Sequence, residues 1–400
     1  MRERKNHPGN GGKVRTGIQY VKGMSVKEAV KHGFDSIEIY DSDFDEADDI
    51  IRQGGTVAGI VVSLYNLINN SCSKKNKINN GNSEEIGTND DKQILLMNAD
   101  EQLKKALDKA VSYKAGYVVI ETKNVQSASI LELLINECAD SIKQAGIPIY
   151  IENGFSVKNQ RYYHNEYSEA SVLRRLAAAL NAICGSELFG ICINVGHTNL
   201  LGINVCDMIM ECGRMLGLMH MNDNNGITNQ YQMPYTFTTG RGILSTDWAR
   251  LIGRLFRLQF NGMVVFDTKG TFSRAPQGLH GVMLELLHSI ANEWENSCFR
   301  TAEFLSEPGK QIILFGAGKM AQSYMEAWGK KYPPAFMVDN NRDIWGEVRF
   351  GIPVKSPDEI LNIPAEKRNV WICNMYYDAI GRQLDDMGVE YRCYWDQYYL

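Results

Sequence analysis

Residues 189–197 read Phe-Gly-Ile-Cys-Ile-Asn-Val-Gly-His, a continuous apolar run that ends in an amide, Asn194, and three residues later in an imidazole, His197. A strand covered on both faces reads this way, without the polar alternation of a half-exposed strand. The same pattern recurs on either side. Ile147–Glu152 closes in Ile151-Glu152-Asn153, Leu218–Met221 carries His220-Met221-Asn222-Asp223, and Met263–Asp267 closes in Phe266-Asp267-Thr268. Upstream, Val14–Tyr20, Ser36–Tyr40, Val57–Leu64 and Tyr117–Glu121 are further short runs rich in β-formers. With Phe189–Val195 they make eight.

Helical patterns separate these runs. Ser25 with Glu28 forms a capping box, and Gly33 closes that helix. Asn98 with Glu101 opens the next, which carries Leu103, Ala106, Leu107, Ala110 and Val111 on one face and ends near Gly116. Later helices are expected over Ser127–Ala145, Ser168–Ala182, Val205–Leu216, Ser245–Leu258 and Leu279–Phe304. Eight strands alternating with helices over about 290 residues predict an α/β fold, a (β/α)8 TIM barrel. Asn69–Lys92, rich in Asn, Lys, Ser and Gly, reads as a surface loop.

A second α/β unit is expected after a linker around Ser306–Lys310, dividing the chain into 1–306 and 307–400. Its first strand, Gln311–Phe315, runs into Gly316-Ala317-Gly318-Lys319-Met320-Ala321, a G-x-G-x-x-A turn that opens a helix. Asp339 follows the strand Ala335–Val338 about twenty residues beyond the glycines, where a ribose-binding acid belongs. Val370–Cys373 and Tyr391–Tyr394 flank a helix over Tyr377–Met387. The unit reads as a small Rossmann-like domain, with Gly316, Gly318 and Asp339 as candidate nucleotide-binding residues. The alternative is a structural or oligomerising role, so a homo-oligomer stays open.

Composition narrows the function classes. The 400 residues are 44% hydrophobic and 22% charged, as in an ordinary folded protein. The formal net charge of −5 argues against nucleic acid as a partner. Met1–Lys13 is basic with no apolar stretch behind it, unlike a secretory signal, and Val57–Leu67 is too short and interrupted to span a bilayer. The nine cysteines form no C-x-x-C pair, and Cys184, Cys192 and Cys373 sit inside apolar runs. Reduced core thiols in a cytoplasmic protein are the expected state.

In such a barrel the chemistry collects at the C-terminal strand ends. Strands five to eight there deliver Glu152, Asn194, His197, His220, Asp223 and Asp267. Together with Gly33-Phe34-Asp35-Ser36-Ile37-Glu38 and Thr239-Gly240-Arg241-Gly242-Ile243 ahead of Asp247-Trp248, these stretches resemble the xylose-isomerase-like superfamily of sugar isomerases and epimerases, which also contains the apurinic endonucleases. The resemblance runs from Val14 to Phe304.

It implies a divalent metal (Mn²⁺, Mg²⁺ or Zn²⁺) held by Glu152, Asn194, His220 and Asp267, with Glu152 and Asp267 also moving protons and His197 contacting a small sugar-type substrate. Such a metal polarises a ketose carbonyl so that flanking carboxylates exchange the neighbouring proton. Asp223 orients His220 or touches substrate, and Arg241 is a candidate for holding a substrate carboxylate or phosphate. Glu38 reads as half of a structural ion pair, and the tyrosines 162, 163 and 167 as packing or a cover.

Two positions depart from the superfamily pattern. Asn194 stands where Asp is usual, which removes a formal charge. Asp267 stands where Glu is usual and reaches about 1.5 Å less far. A metal-dependent sugar isomerase or epimerase is therefore set against a catalytically degenerate binder of sugars or nucleotide sugars. A zinc phosphodiesterase is the third alternative. His220-Met221-Asn222-Asp223 suits it, but strands three and four end in Ser63-Leu64-Tyr65-Asn66 and Glu121-Thr122-Lys123 rather than in histidines.

Overall fold

A computed structural model describes residues 15–63, 89–123, 128–237, 246–258, 260–295 and 304–394. One compact unit holds Val14–Trp248 with Leu258–Ala291, and a second holds Ala249–Arg257 with Asn292–Leu400.

In the first unit eight parallel strands close into a barrel. They are β1 (Arg15–Gln19), β2 (Ser36–Tyr40), β3 (Thr56–Ser63), β4 (Tyr117–Glu121), β5 (Ile149–Glu152), β8 (Phe189–Asn194), β9 (Leu216–Met221) and β10 (Met263–Phe266). Between β5 and β8 lies a two-stranded hairpin, β6 (Ser156–Lys158) and β7 (Arg161–Tyr163). The barrel order is β1-β10-β9-β8-β5-β4-β3-β2, so each expected strand sits beside its sequence neighbour and β10 closes on β1. The fold is the α/β TIM barrel that the eight apolar runs predict.

Side chains alternate in and out along a strand, so paired registers decide which ones share the barrel interior. Val61, Tyr117, Val119, Cys192, Leu218, Met263 and Val265 form an apolar plug across it. Glycine admits the large rings: a Cβ on Gly59 would lie 2.1 Å from the Tyr117 ring, and one on Gly217 would lie 2.2 Å from that of Tyr150. Two residues nearer the C-terminal ends, the same inward face turns polar. Ser63, Glu121, Glu152, Asn194, His220 and Asp267 stand there, with Gln19 and Glu38 paired in register on β1 and β2.

Several elements differ from the sequence-based expectation. The helix expected to open at Asn98 runs over Asn89–Tyr113, since no Gly or Pro breaks the chain between Asn89 and Asn98. The rest of the expected surface loop, 69–88, lies outside the described residues. The β6–β7 hairpin turns at Asn159 and Gln160, both with positive φ, a two-residue turn without the glycine that would have advertised it. A short helix, Val195–Leu200, starts directly at Asn194, whose side chain accepts the His197 backbone N–H as an N-cap.

The second unit carries a six-stranded sheet in the order β13-β14-β12-β11-β15-β16. These are β11 (Gln311–Phe315), β12 (Phe336–Val338), β13 (Val348–Arg349), β14 (Ile352–Lys355), β15 (Arg368–Ile372) and β16 (Tyr391–Cys393). All pairs are parallel except β13–β14, which the sequence reading missed. Its turn is Phe350-Gly351, again with two positive φ values. No helix among the described residues is long and apolar enough to cross a membrane.

Candidate active site

Strand register brings Glu152, Asn194, His220 and Asp267 to one end of the barrel, where all four are buried. Glu152 is the hub of the first three. Its Oε1 accepts from Asn194 Nδ2 at 3.0 Å and lies 2.7 Å from His220 Nδ1. On its other side, His220 Nε2 lies 3.2 Å from both carboxylate oxygens of Glu38. The imidazole is thus a bridge between two buried acids, and Glu38 is in the ion pair expected of it. Burial works against a charged ring, but Cys192 and the carboxylates of Glu38 and Glu152 hold His220 well above the ordinary imidazole range. Burial also pushes the Glu152 carboxyl up, yet His197, His220 and Lys123 together outweigh it and hold the acid below its ordinary range.

The chemistry of its partners fixes how Asn194 is turned. Oδ1 accepts from the backbone N–H of His197 at 3.3 Å and from Asn222 Nδ2 at 2.9 Å, while the carboxylate of Glu152 can only accept, so it meets the NH₂. Asn153 stitches the same turn, accepting from the Asn194 N–H at 2.6 Å.

His197 is fully buried. Nδ1 donates to the Asn153 carbonyl at 2.8 Å, and Nε2 accepts from the Tyr231 hydroxyl at 3.3 Å. Burial pulls its ring down to about 4, in keeping with a neutral imidazole. Asp223 is also buried, but its oxygens accept the backbone N–H groups of Asn224 and Phe237, so its carboxylate closes a loop and does not orient His220. Arg241 lies outside the described residues.

Residues that the sequence reading left aside complete the rim. Lys123 donates to Glu121 at 2.5 Å and to the Tyr231 hydroxyl. Lys269 lies 3.5 Å from Asp267 Oδ1, donates to the Tyr40 hydroxyl, and sits 3.9 Å from the centre of the Tyr231 ring. Burial raises the Asp267 carboxyl, while Glu121 is lowered because Lys123 outweighs burial. The lysines keep some access to solvent, with side chains 16% exposed at Lys123 and 28% at Lys269. A signal was present: Glu121-Thr122-Lys123 and Asp267-Thr268-Lys269 are the same acid–Thr–Lys triplet, at the ends of the fourth and eighth barrel strands, which face each other across the closed sheet.

A divalent ion held by Glu152, Asn194, His220 and Asp267 would need their lone pairs to converge. Asn194 has both lone pairs of Oδ1 engaged elsewhere and turns hydrogens toward the site. Both nitrogens of His220 face carboxylates. Of the four, Asp267 alone keeps a buried oxygen, Oδ1, without a hydrogen-bond partner. Glu152, Cys192 and His220 do place donor atoms within 4.8 Å of one another, but burial pushes the Cys192 thiol up to about 12. The expected four-ligand set does not fit an ion in this arrangement.

In the second unit, Gly316 has a φ of +113°, and a Cβ there would lie 2.4 Å from the Cys373 carbonyl oxygen. Asp339 accepts from the Ala317 N–H at 3.0 Å and the Asn341 N–H at 2.9 Å. Its oxygens tie down the glycine turn. Gly318, Ala317, Lys319, Gln322, Arg349 and Phe350 line a shallow surface depression of about 400 Å³ beside it.

None of the curated proteins compared matches this sequence. Among solved structures, an L-ribulose 3-epimerase is similar at a TM-score of 0.52 and 15% identity, with 74% of this chain covering 100% of that one. A D-psicose 3-epimerase from Clostridium cellulolyticum H10 gives 0.47 and 15% identity, over 72% of this chain and 99% of that one. An AP endonuclease of family 2 from Brucella melitensis gives 0.47 and 13%, over 67% and 97%. The likeness to the L-ribulose 3-epimerase is one of fold. The family described as the xylose isomerase-like TIM barrel matches residues 26–284, well over half of the chain. With the closed eight-stranded barrel and that match, the chain belongs to the xylose isomerase-like TIM barrel family.

Proposed function

We propose that the C-terminal mouth of the barrel binds a small sugar-type molecule, such as a ketose, polyol or sugar phosphate, and acts on it as an isomerase or epimerase. One observation carries the reading. Gln19 leaves its side-chain nitrogen and oxygen buried without a hydrogen-bond partner, and at the end of the neighbouring strand Asp267 Oδ1 is buried with no hydrogen bond, the Lys269 ammonium lying 3.5 Å away. Buried polar groups are normally satisfied, so this pairing of donor and acceptor capacity suits hydroxyl groups, which both give and take hydrogen bonds. Asp267, raised by burial, has the character of a general base for a C–H proton next to a carbonyl. Lys269 beside it supplies positive charge where an enolate oxygen would form.

A second reading, binding without turnover, draws on the position of His197, whose two ring nitrogens are engaged within the protein. The proposal places the barrel in residues 1–306 and a separate module in 307–400, in the cytoplasm, where the seven described free cysteines stay reduced.

The test is solvent-exchange NMR of the full chain with a panel of ketoses and their phosphates in D₂O. Deuterium should enter at the carbon next to the carbonyl, and Asp267→Asn should slow this by about a hundredfold or more. Saturable binding without exchange supports the second reading. Neither binding nor exchange across the panel overturns both.

A further inference from the structure

We infer that the part a divalent ion would play in this barrel is taken by the protein itself: the N–H of the Asn194 amide and the positive charge of the His220 ring and of the Lys123 and Lys269 ammonium groups hold the carboxylates of Glu38, Glu121, Glu152 and Asp267. The inference rests on taking the mouth as the working site.

Asn194 decides the matter locally. An aspartate in its place would keep one oxygen on the His197 N–H as the helix cap. Its other oxygen would then face Glu152 Oε1 at the 3.0 Å now spanned by a hydrogen bond. Two carboxylate oxygens that close repel strongly in a buried site and call for a cation between them. The amide removes the repulsion and supplies the hydrogen itself. On the two strands that flank this cluster, β4 and β10, the pairing is repeated with lysine. Lys269 stands beside Asp267 and Lys123 beside Glu121. For an ion to enter, Asn194 would have to rotate off two donors, and His220 would have to release one of its two carboxylates. Substitution of a cation by amide, imidazole and ammonium donors accounts for Asn194 and for the two acid–Thr–Lys triplets together.

The measurement is Mn²⁺ titration of the full chain, read by the electron paramagnetic resonance of free Mn²⁺ and by calorimetry, with Zn²⁺ as a second probe. The wild type should leave stoichiometric Mn²⁺ and Zn²⁺ free, and its melting temperature should not move with chelator. Asn194→Asp should bind Mn²⁺ at least about tenfold more tightly than wild type, and adding Lys269→Met should tighten it further. If Asn194→Asp does not fold, Lys269→Met alone carries the comparison. One equivalent of either metal bound by the wild type with a rise in melting temperature overturns the inference. So does a folded variant set that binds no better than wild type. Exchange into substrate that appears only with added Mn²⁺ also sinks it while leaving the isomerase reading intact. Absence of exchange with metal still excluded sinks the isomerase reading alone.

Discussion

Tyr231 gives its hydroxyl hydrogen to His197 Nε2 at 3.3 Å while the same oxygen takes a hydrogen from Lys123. Because His197 Nδ1 in turn donates to the Asn153 carbonyl, the direction of every hydrogen in the row is set: ammonium to phenol, phenol to imidazole, imidazole to backbone. Lys269 covers the face of the phenol ring, so one tyrosine links the ends of the fourth and eighth barrel strands.

Tyr231→Phe keeps the ring and its Lys269 contact but removes the relay, including the hydroxyl that Lys123 donates to. His197 Nε2 is then a buried acceptor without a donor, and an unmade buried hydrogen bond costs about 1–3 kcal/mol. Urea denaturation should show a loss of that size with an unchanged slope. Ligand affinity should fall less in Tyr231→Phe than in Tyr231→Ala, which also removes the platform for Lys269.

Asn194→Ala removes the helix N-cap and the donor to Glu152 in one step. Loss of a cap costs about 1 kcal/mol, and the carboxylate left one hydrogen bond short adds to it. A destabilisation of about 2–4 kcal/mol is expected in thermal or chemical unfolding. A change within 0.5 kcal/mol (about the noise level of a surface substitution) would show that Asn194 is not the joint between β8 and its helix.

Much of this was legible in the order of residues alone. Strand ends such as Ile151-Glu152 and Met263–Asp267 announce themselves because a barrel strand is covered on both faces along its length and meets polar surroundings only where it reaches the mouth. Tyr231 had no such signal. It reaches the site because the loop after β9 folds back, with the Asp223 and Gln232 backbones pairing at 2.8 and 2.9 Å, a non-local bond that no local pattern encodes. Gln19 was hidden by its own strand, since one glutamine at the end of β1 looks like any strand terminus until its unbonded amide is seen. The role of Asn194 was half legible. Its departure from Asp was visible in sequence, but the compensation by Glu152, Asn222 and the His197 N–H needed the register of β5, β8 and β9.

The buried neutral His197 predicts a pH dependence with a definite sign. Its ring sits at about 4 when folded against about 6.5 when unfolded, so between these values the unfolded chain binds more protons. The contribution of His197 to stability should therefore be fully present above about pH 6.5 and decline as pH falls toward 4, by a few kcal/mol at most. His197→Gln should lower stability at neutral pH and flatten that part of the profile. An equal slope in wild type and variant would mean that the ring is not held neutral.

Gly270 tests how the Tyr231 loop is carried. Its N–H donates to the Tyr231 carbonyl at 3.0 Å, and a Cβ at this position would lie 1.7 Å from the Gln230 carbonyl oxygen. That neighbour is backbone, so no side chain can swing aside, and Gly270→Ala must displace residues 230–231. Overpacking of this kind costs about 1–3 kcal/mol. The displacement falls on the loop that holds the phenol between Lys123 and Lys269, so ligand affinity should drop along with stability. A matched control is Gly185→Ala, at a helix C-terminus with open space around its Cβ and a φ of +60°. It should lower stability by about 1 kcal/mol while leaving ligand affinity unchanged. If both variants lose stability and neither loses affinity, the loop does not position the site, and Tyr231 belongs to the packing of the barrel rim alone.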